Sequence, residues 1–269
     1  MVIKFYTCSS RTIIFLAHCA ERKKMKELEK LLGRFKKACL TKDNVKKNQI
    51  LERLKKAKVG DKDWIEFISL SLSAYVFYIE RIGYPTANLL IELLNRSSDD
   101  SVILDPLFEK AKKSKEQREE LDKLLKSNIV LIQMVANNIW YCDYIEKMID
   151  DCYEDIIMDL EQIEGRLKDI LIRKLLKDEH IEEIVFSYKS QKLKKSIYLR
   201  LIVENAKAGD YRTMLKNIQT AQEKLELSVK DVYQKVEETS LQIYSLRKAE
   251  KQNLRIAKRI IARIEEGKG

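Results

Sequence analysis

The chain has 269 residues, 45% of them hydrophobic and 35% charged, with 52 Lys/Arg against 42 Asp/Glu and a formal net charge of +10. It contains 7 glycines and 2 prolines, where average usage of about 7% and 5% would give roughly 19 and 13, so folds built on many glycine-bearing turns, the β-sandwich and the doubly wound α/β sheet, are poor candidates. The five cysteines Cys8, Cys19, Cys39, Cys142 and Cys152 are odd in number and contain no CxxC pair, and only His18 and His180 could assist them; this predicts free thiols, no metal site, no cofactor and a reducing, cytoplasmic setting.

Apolar residues recur at helical spacing along most of the chain, which predicts an all-α protein: an irregular bundle of about eight or nine helices ending in a long coiled-coil-like helix. Three regions are distinguished: an N-terminal extension (1–24), a basic helical region with an apolar core helix (25–100), and a bundle with an acidic middle and a basic C-terminal helix (101–269). In the extension, Lys4 and Arg11 precede a short apolar run, and Leu16-Ala17-His18-Cys19 brushes against a lipoprotein-like cleavage pattern, with His18 where a small residue belongs. A clean amphipathic pattern begins at Met25, which would also serve as a translation start.

From there the first helix covers 25–40, with Leu28, Leu31, Leu32, Phe35 and Cys39 on one face, and Thr41–Asn44 interrupts it. A second helix, about 44–58, carries Val45, Ile50, Leu51 and Leu54 on its apolar face and ends at Gly60 in a left-handed turn, with Asp61 or Asp63 capping the next. That next helix, about 63–82, is apolar on nearly every side, but its longest run, Phe67–Ile79, is short of the roughly 20 residues that span a bilayer, so it is read as a core helix and no integral membrane segment is expected. Gly83-Tyr84-Pro85-Thr86 stops it; a short helix covers 87–96, and the polar stretch 97–101 reads as a loop. Asp105-Pro106 predicts a helix start, with the helix running to about 126.

A helix opening after Ser127-Asn128 is expected to continue, increasingly acidic, to about Lys177, bending at Gly165. Residues 180–208 form another, ended by Gly209, and Asp210 caps a partner, so 197–226 reads as a helical hairpin. Its Gly-Asp-Tyr turn, with Ala221 ten residues on, resembles a tetratricopeptide turn, without a second copy at the required period. Stepping three and four from Val229 gives Val232, Val236, Thr239, Ile243, Leu246, Glu250, Asn253, Ala257, Ile260 and Ile264, the seam of one rod over 222–266 available for self-association or a protein partner.

Charge is uneven. Residues 1–60 hold 17 Lys/Arg against 5 Asp/Glu, 61–140 hold 10 against 13, 141–186 hold 6 against 14, and 187–269 hold 19 against 10. Basic ends flank an acidic middle, so the ends meet either a polyanion or the acidic middle of the same or another copy of the chain. On the C-terminal helix Arg247, Lys251, Arg255, Arg259 and Arg263 repeat every four residues, with Lys258 beside them, a stripe suited to phosphate backbones or, blandly, to keeping a long helix solvated.

Two further constellations carry chemistry. Asp150-Asp151-Cys152-Tyr153-Glu154-Asp155 resembles the aspartate-rich DDxxD motif of isoprenoid synthases, a resemblance that implies magnesium held against a diphosphate by Asp150, Asp151, Glu154 and Asp155; no second metal motif follows, and an exposed acidic face is the simpler reading. Arg173 and His180 resemble the Arg-x(4 to 6)-His pair of HEPN ribonucleases, which implies metal-independent RNA cleavage, whereas a surface histidine at a helix start accounts for His180 alone. No Gly-rich phosphate loop, GxSxG, HExxH or Glu-x-x-His pair occurs. The expectation is therefore a non-enzymatic helical binding or scaffold protein whose basic surfaces contact nucleic acid. A HEPN-like ribonuclease and a protein–protein or membrane-surface assembly factor are the alternatives.

Overall fold

A computed structural model describes residues 10–242 and 245–267, with side chains from Lys24 onward. The cleavage-like segment 16–19, Cys8 and Ile243 lie outside the described residues or side chains. The described residues hold sixteen α-helices and no strand, more helices than the sequence periodicity predicts because five predicted rods are each broken. The chain divides into two compact units, unit 1 through Ile145 and unit 2 from Glu146.

Unit 1 begins with α1 (Ser10–Leu40) and α2 (Asn44–Ala57), antiparallel neighbours closed over Leu31, Phe35, Ala38, Ile50, Leu51 and Leu54. Gly60 is not the left-handed stop: that residue is Lys58, at φ 47°, while Gly60 is extended and donates its N–H to Asp63 across 3.3 Å to open the next helix. The predicted core helix divides at Ser71, which is extended at φ −162°, into α3 (Asp61–Leu70) and α4 (Leu72–Arg81). Between them they bury Trp64, Phe67, Ile68, Tyr75, Tyr78 and Ile79, with the Trp64 and Tyr78 rings edge-on at 5.1 Å and Phe67 meeting Phe35 at 5.3 Å.

Thr86 accepts from the Leu89 N–H and caps α5 (Ala87–Arg96), whose four leucines, Leu89, Leu90, Leu93 and Leu94, are all buried. α6 (Asp100–Ala111) starts well before Pro106: Asp99 takes the Ser101 N–H at 3.0 Å, so the helix nucleates upstream and passes through the proline, which forfeits one donor. Ser114 then accepts from the Gln117 N–H and starts α7 (Lys115–Lys126), dividing the predicted 106–126 helix. Asn128 caps α8 (Ile129–Asn137), extended Asn138 ends it, and α9 (Cys142–Asp150) follows. Such short polar side chains offer the backbone a local partner that competes with continuing the helix.

In unit 2 the predicted acidic helix becomes α10 (Tyr153–Ile157) and α11 (Gly165–Leu175), and Gly165, at φ 63°, begins α11 instead of bending a rod. α12 (Ile181–Ser187) follows; Ser190 then caps α13 (Gln191–Ala208), and α14 (Tyr211–Leu225) runs back along it through Gly209 at φ 78° and the Asp210 cap. The 222–266 rod does not form. Glu226 turns left-handed at φ 52°, Ser228 caps α15 (Val229–Leu241), and a break between Leu241 and Lys248 reverses the chain into α16 (Lys248–Glu265), which lies against both α15 and α13. The predicted seam holds through Val232, Val236 and Thr239; beyond the break Ala257 keeps its place, but the other buried positions are Leu254 and Ile261 instead of Glu250, Ile260 and Ile264. This apolar face is covered within the unit.

Asn253 fastens the two hairpins together. Its amide nitrogen donates to the Lys207 carbonyl at 2.8 Å, and the Tyr211 hydroxyl donates to the Asn253 backbone and side-chain oxygens at 3.3 and 3.4 Å. A Cβ at Gly209 would stand 3.0 Å from that amide nitrogen, so the close approach needs glycine here for space as well as for φ.

Candidate functional site

α16 begins at Arg247, whose N–H donates to the Glu250 carboxylate at 2.7 Å; the guanidinium binds the same carboxylate at 2.8 Å, holding Glu250 below and Arg247 above their ordinary pKa ranges. With 3.6 residues per turn, a residue two positions from a buried one lies nearly opposite it. Arg255 and Arg259 flank Ala257 in this way, and Arg259 and Arg263 flank Ile261. All three arginines are exposed and form no ion pair among the described residues. Spaced four apart, their Cα atoms advance about 6 Å at a time along the axis.

The rest of the predicted stripe behaves differently. Lys258 turns toward α15, where the Glu237 carboxylate at 2.8 Å raises its pKa and its nitrogen lies 5.5 Å from the centre of the Tyr233 ring. Lys251 is half-buried. Among the described residues no ion pair joins α16 to the acidic region 143–164, whose carboxylates meet α11 instead: Glu146 lies 3.3 Å from Arg173, and Asp150 bonds Lys174.

The DDxxD-like residues do not share one helix. Asp150 ends α9, Asp151 lies in the following turn, and Glu154 and Asp155 are exposed in the first turn of five-residue α10. No group of three or more His, Cys, Asp or Glu able to hold a metal occurs among the described residues. Arg173, near the end of α11, pairs with Glu146 as above; His180 precedes α12 with its Nδ1 3.7 Å from Glu183 and its side chain 72% exposed. Each faces a carboxylate of its own. Among the described cysteines, Cys39, Cys142 and Cys152 form no disulfide.

A second basic surface lies on unit 1, in the basic N-terminal region that the sequence marks out. Two depressions of about 750 and 640 Å³ run along α1 and α2 and share Arg34 and Arg53; Lys37 and Lys46 line the first, and Lys24, Lys26 and Lys30 the second. The sequence places Val45 on the apolar face of α2, yet it is 68% exposed, and Leu40 at the end of α1 is 78% exposed.

Among the described residues no helix is long and apolar enough to cross a membrane. No protein-family model, curated protein or solved structure matches the chain, so any functional reading rests on its own surfaces.

Proposed function

We propose that the chain is a non-enzymatic helical binding protein that contacts nucleic acid through the phosphate backbone, with Arg255, Arg259 and Arg263 as the contact row. The observation that carries this reading is the exposure of three guanidiniums, four residues apart, on the face of α16 opposite its buried positions, none of them in an ion pair among the described residues. A guanidinium held in an ion pair must give up its carboxylate before it can bind a phosphate, and these need not. Arginine is suited to the role because its planar fork matches phosphate oxygens in pairs and its charge is permanent. Such contacts fix position without reading bases, so the expected binding is sequence-tolerant and salt-sensitive.

The test is fluorescence anisotropy with a labelled DNA duplex and a labelled RNA at two salt concentrations, comparing the protein with R255E/R259E. Binding that weakens steeply with salt and collapses in the double variant is expected. Equal affinity of the two proteins would overturn the proposal.

A further inference from the structure

The tip of the α1–α2 hairpin combines features that the α16 row lacks. Its turn is tied by hydrogen bonds: Thr41 donates its hydroxyl to the Lys37 carbonyl at 3.0 Å, the Asp43 N–H reaches the Ala38 carbonyl at 2.9 Å, and the Lys46 N–H reaches the Asp43 carboxylate at 3.0 Å. Lys42 takes the left-handed conformation between them, at φ 55°. The backbone is thus held so that Leu40 and Val45, on either side of the turn, both face outward, at 78% and 68% exposure. Single exposed aliphatic residues are ordinary. Two of them bracketing one hydrogen-bonded turn form an apolar point.

The sequence on both sides of that point is strongly basic. Between Lys30 and Leu51 the chain carries Lys30, Arg34, Lys36, Lys37, Lys42, Lys46 and Lys47, and the only acid is Asp43. Asp43 is already engaged, capping α2 and pairing with Lys46 at 2.9 Å. An apolar tip offers nothing to a phosphodiester backbone, and a bare lysine cluster gains nothing from leucine and valine. An anionic bilayer surface uses both: the headgroups attract the lysines, and the acyl boundary just below them receives the aliphatic side chains.

We propose that the α1–α2 hairpin docks tip-first on anionic lipid membranes, with Leu40 and Val45 entering the headgroup boundary and Lys36, Lys37 and Lys42 lying among the headgroups. The site is separate in sequence and in unit from the arginine row, so the two readings stand or fall independently.

The test is co-sedimentation of the full chain with phosphatidylcholine vesicles, with and without phosphatidylserine, at low and moderate salt. The protein is expected to pellet only with the phosphatidylserine vesicles and to be released as salt rises, because screening acts over about 10 Å at 0.1 M. L40S/V45S, two exposed substitutions that leave the core intact, is expected to weaken pelleting at least tenfold while circular dichroism is unchanged. K37E/K42E should abolish it, and R255E/R259E should leave it as it was. Failure to pellet with anionic vesicles, or equal pelleting of L40S/V45S and the unsubstituted protein, would overturn the proposal, the second outcome reducing the tip to a general polyanion surface.

Discussion

Replacing Gly209 by alanine tests the junction between the two hairpins of unit 2. A left-handed backbone costs a residue with a Cβ about 1–2 kcal/mol relative to glycine, and φ 78° is unavoidable there because Gly209 turns α13 into α14. The reduced freedom of the unfolded chain returns about 0.5 kcal/mol. The new methyl would also stand 3.0 Å from the Asn253 amide nitrogen, displacing it from the Lys207 carbonyl and forfeiting a hydrogen bond that contributes about 1 kcal/mol. The expected loss is about 2 kcal/mol, a fall of roughly 1 M in urea midpoint for an m-value near 2 kcal/mol/M. In an N253A background that hydrogen bond is already gone, so G209A should cost only about 1 kcal/mol more. Both tryptophans, Trp64 and Trp140, belong to unit 1, so urea melts should be followed by far-ultraviolet circular dichroism. An equal cost of G209A in the two backgrounds would refute the reasoning.

Three arginine–phosphate contacts predict that duplex affinity falls about fortyfold between about 50 and 200 mM salt, and that R255E/R259E, with one contact left, falls only about fourfold; salt-titrated anisotropy gives both slopes. The Tyr75 hydroxyl is buried without a hydrogen-bond partner among the described residues, so Y75F should raise stability by about 1 kcal/mol, and a lower thermal midpoint would contradict that. Burial, with Glu120 and Asp122 nearby, pushes the Tyr84 phenol up to about 12, and burial beside Glu182 does the same for Tyr198. These phenols keep their protons longer folded than unfolded, so their stabilisation is complete below the ordinary phenol pKa of 10.0 and is lost as pH climbs toward 12. Phenolate absorbance rising together with loss of helix across that window is expected; full ionisation near pH 10 with the helix intact would contradict it.

Where local chemistry and hydrophobic period agree, the sequence is legible. Thr86 and four leucines define 87–96, and the Gly209-Asp210 pair marks the hairpin that the structure shows. Period alone misleads where a short polar side chain caps a new helix without disturbing the apolar spacing, as at Ser114, or where the backbone turns extended within an apolar run, as at Ser71. Asp99 likewise outcompetes the Asp105-Pro106 signal, because the first carboxylate to capture a backbone N–H starts the helix. The C-terminal rod is the largest such error: heptad stepping carries on across residues 242–247 as if the chain did, and so puts Glu250 and Ile264 in a seam that belongs to Leu254 and Ile261. The arginine row survives this change of phase because it depends only on spacing within α16. The ion pair of Lys258 with Glu237, 21 residues away across a turn, could not be read from spacing. Nor could the outward direction of Val45, since a helical position near a turn is buried only if a neighbouring element reaches over it.

The position of α13 among its neighbours bears on how the chain is made. α13 buries Ile197, Ile202 and Ala206 and touches α14, α15 and α16, and α16 leaves the ribosome after the other three. Until Leu254, Ala257 and Ile261 have emerged, the faces of α13 and α15 that pack on α16 lack that partner, and a chain cut before Lys248 would lack it permanently. Such a product offers chaperones and proteases exposed apolar surface of the kind by which they recognise incompletely folded chains.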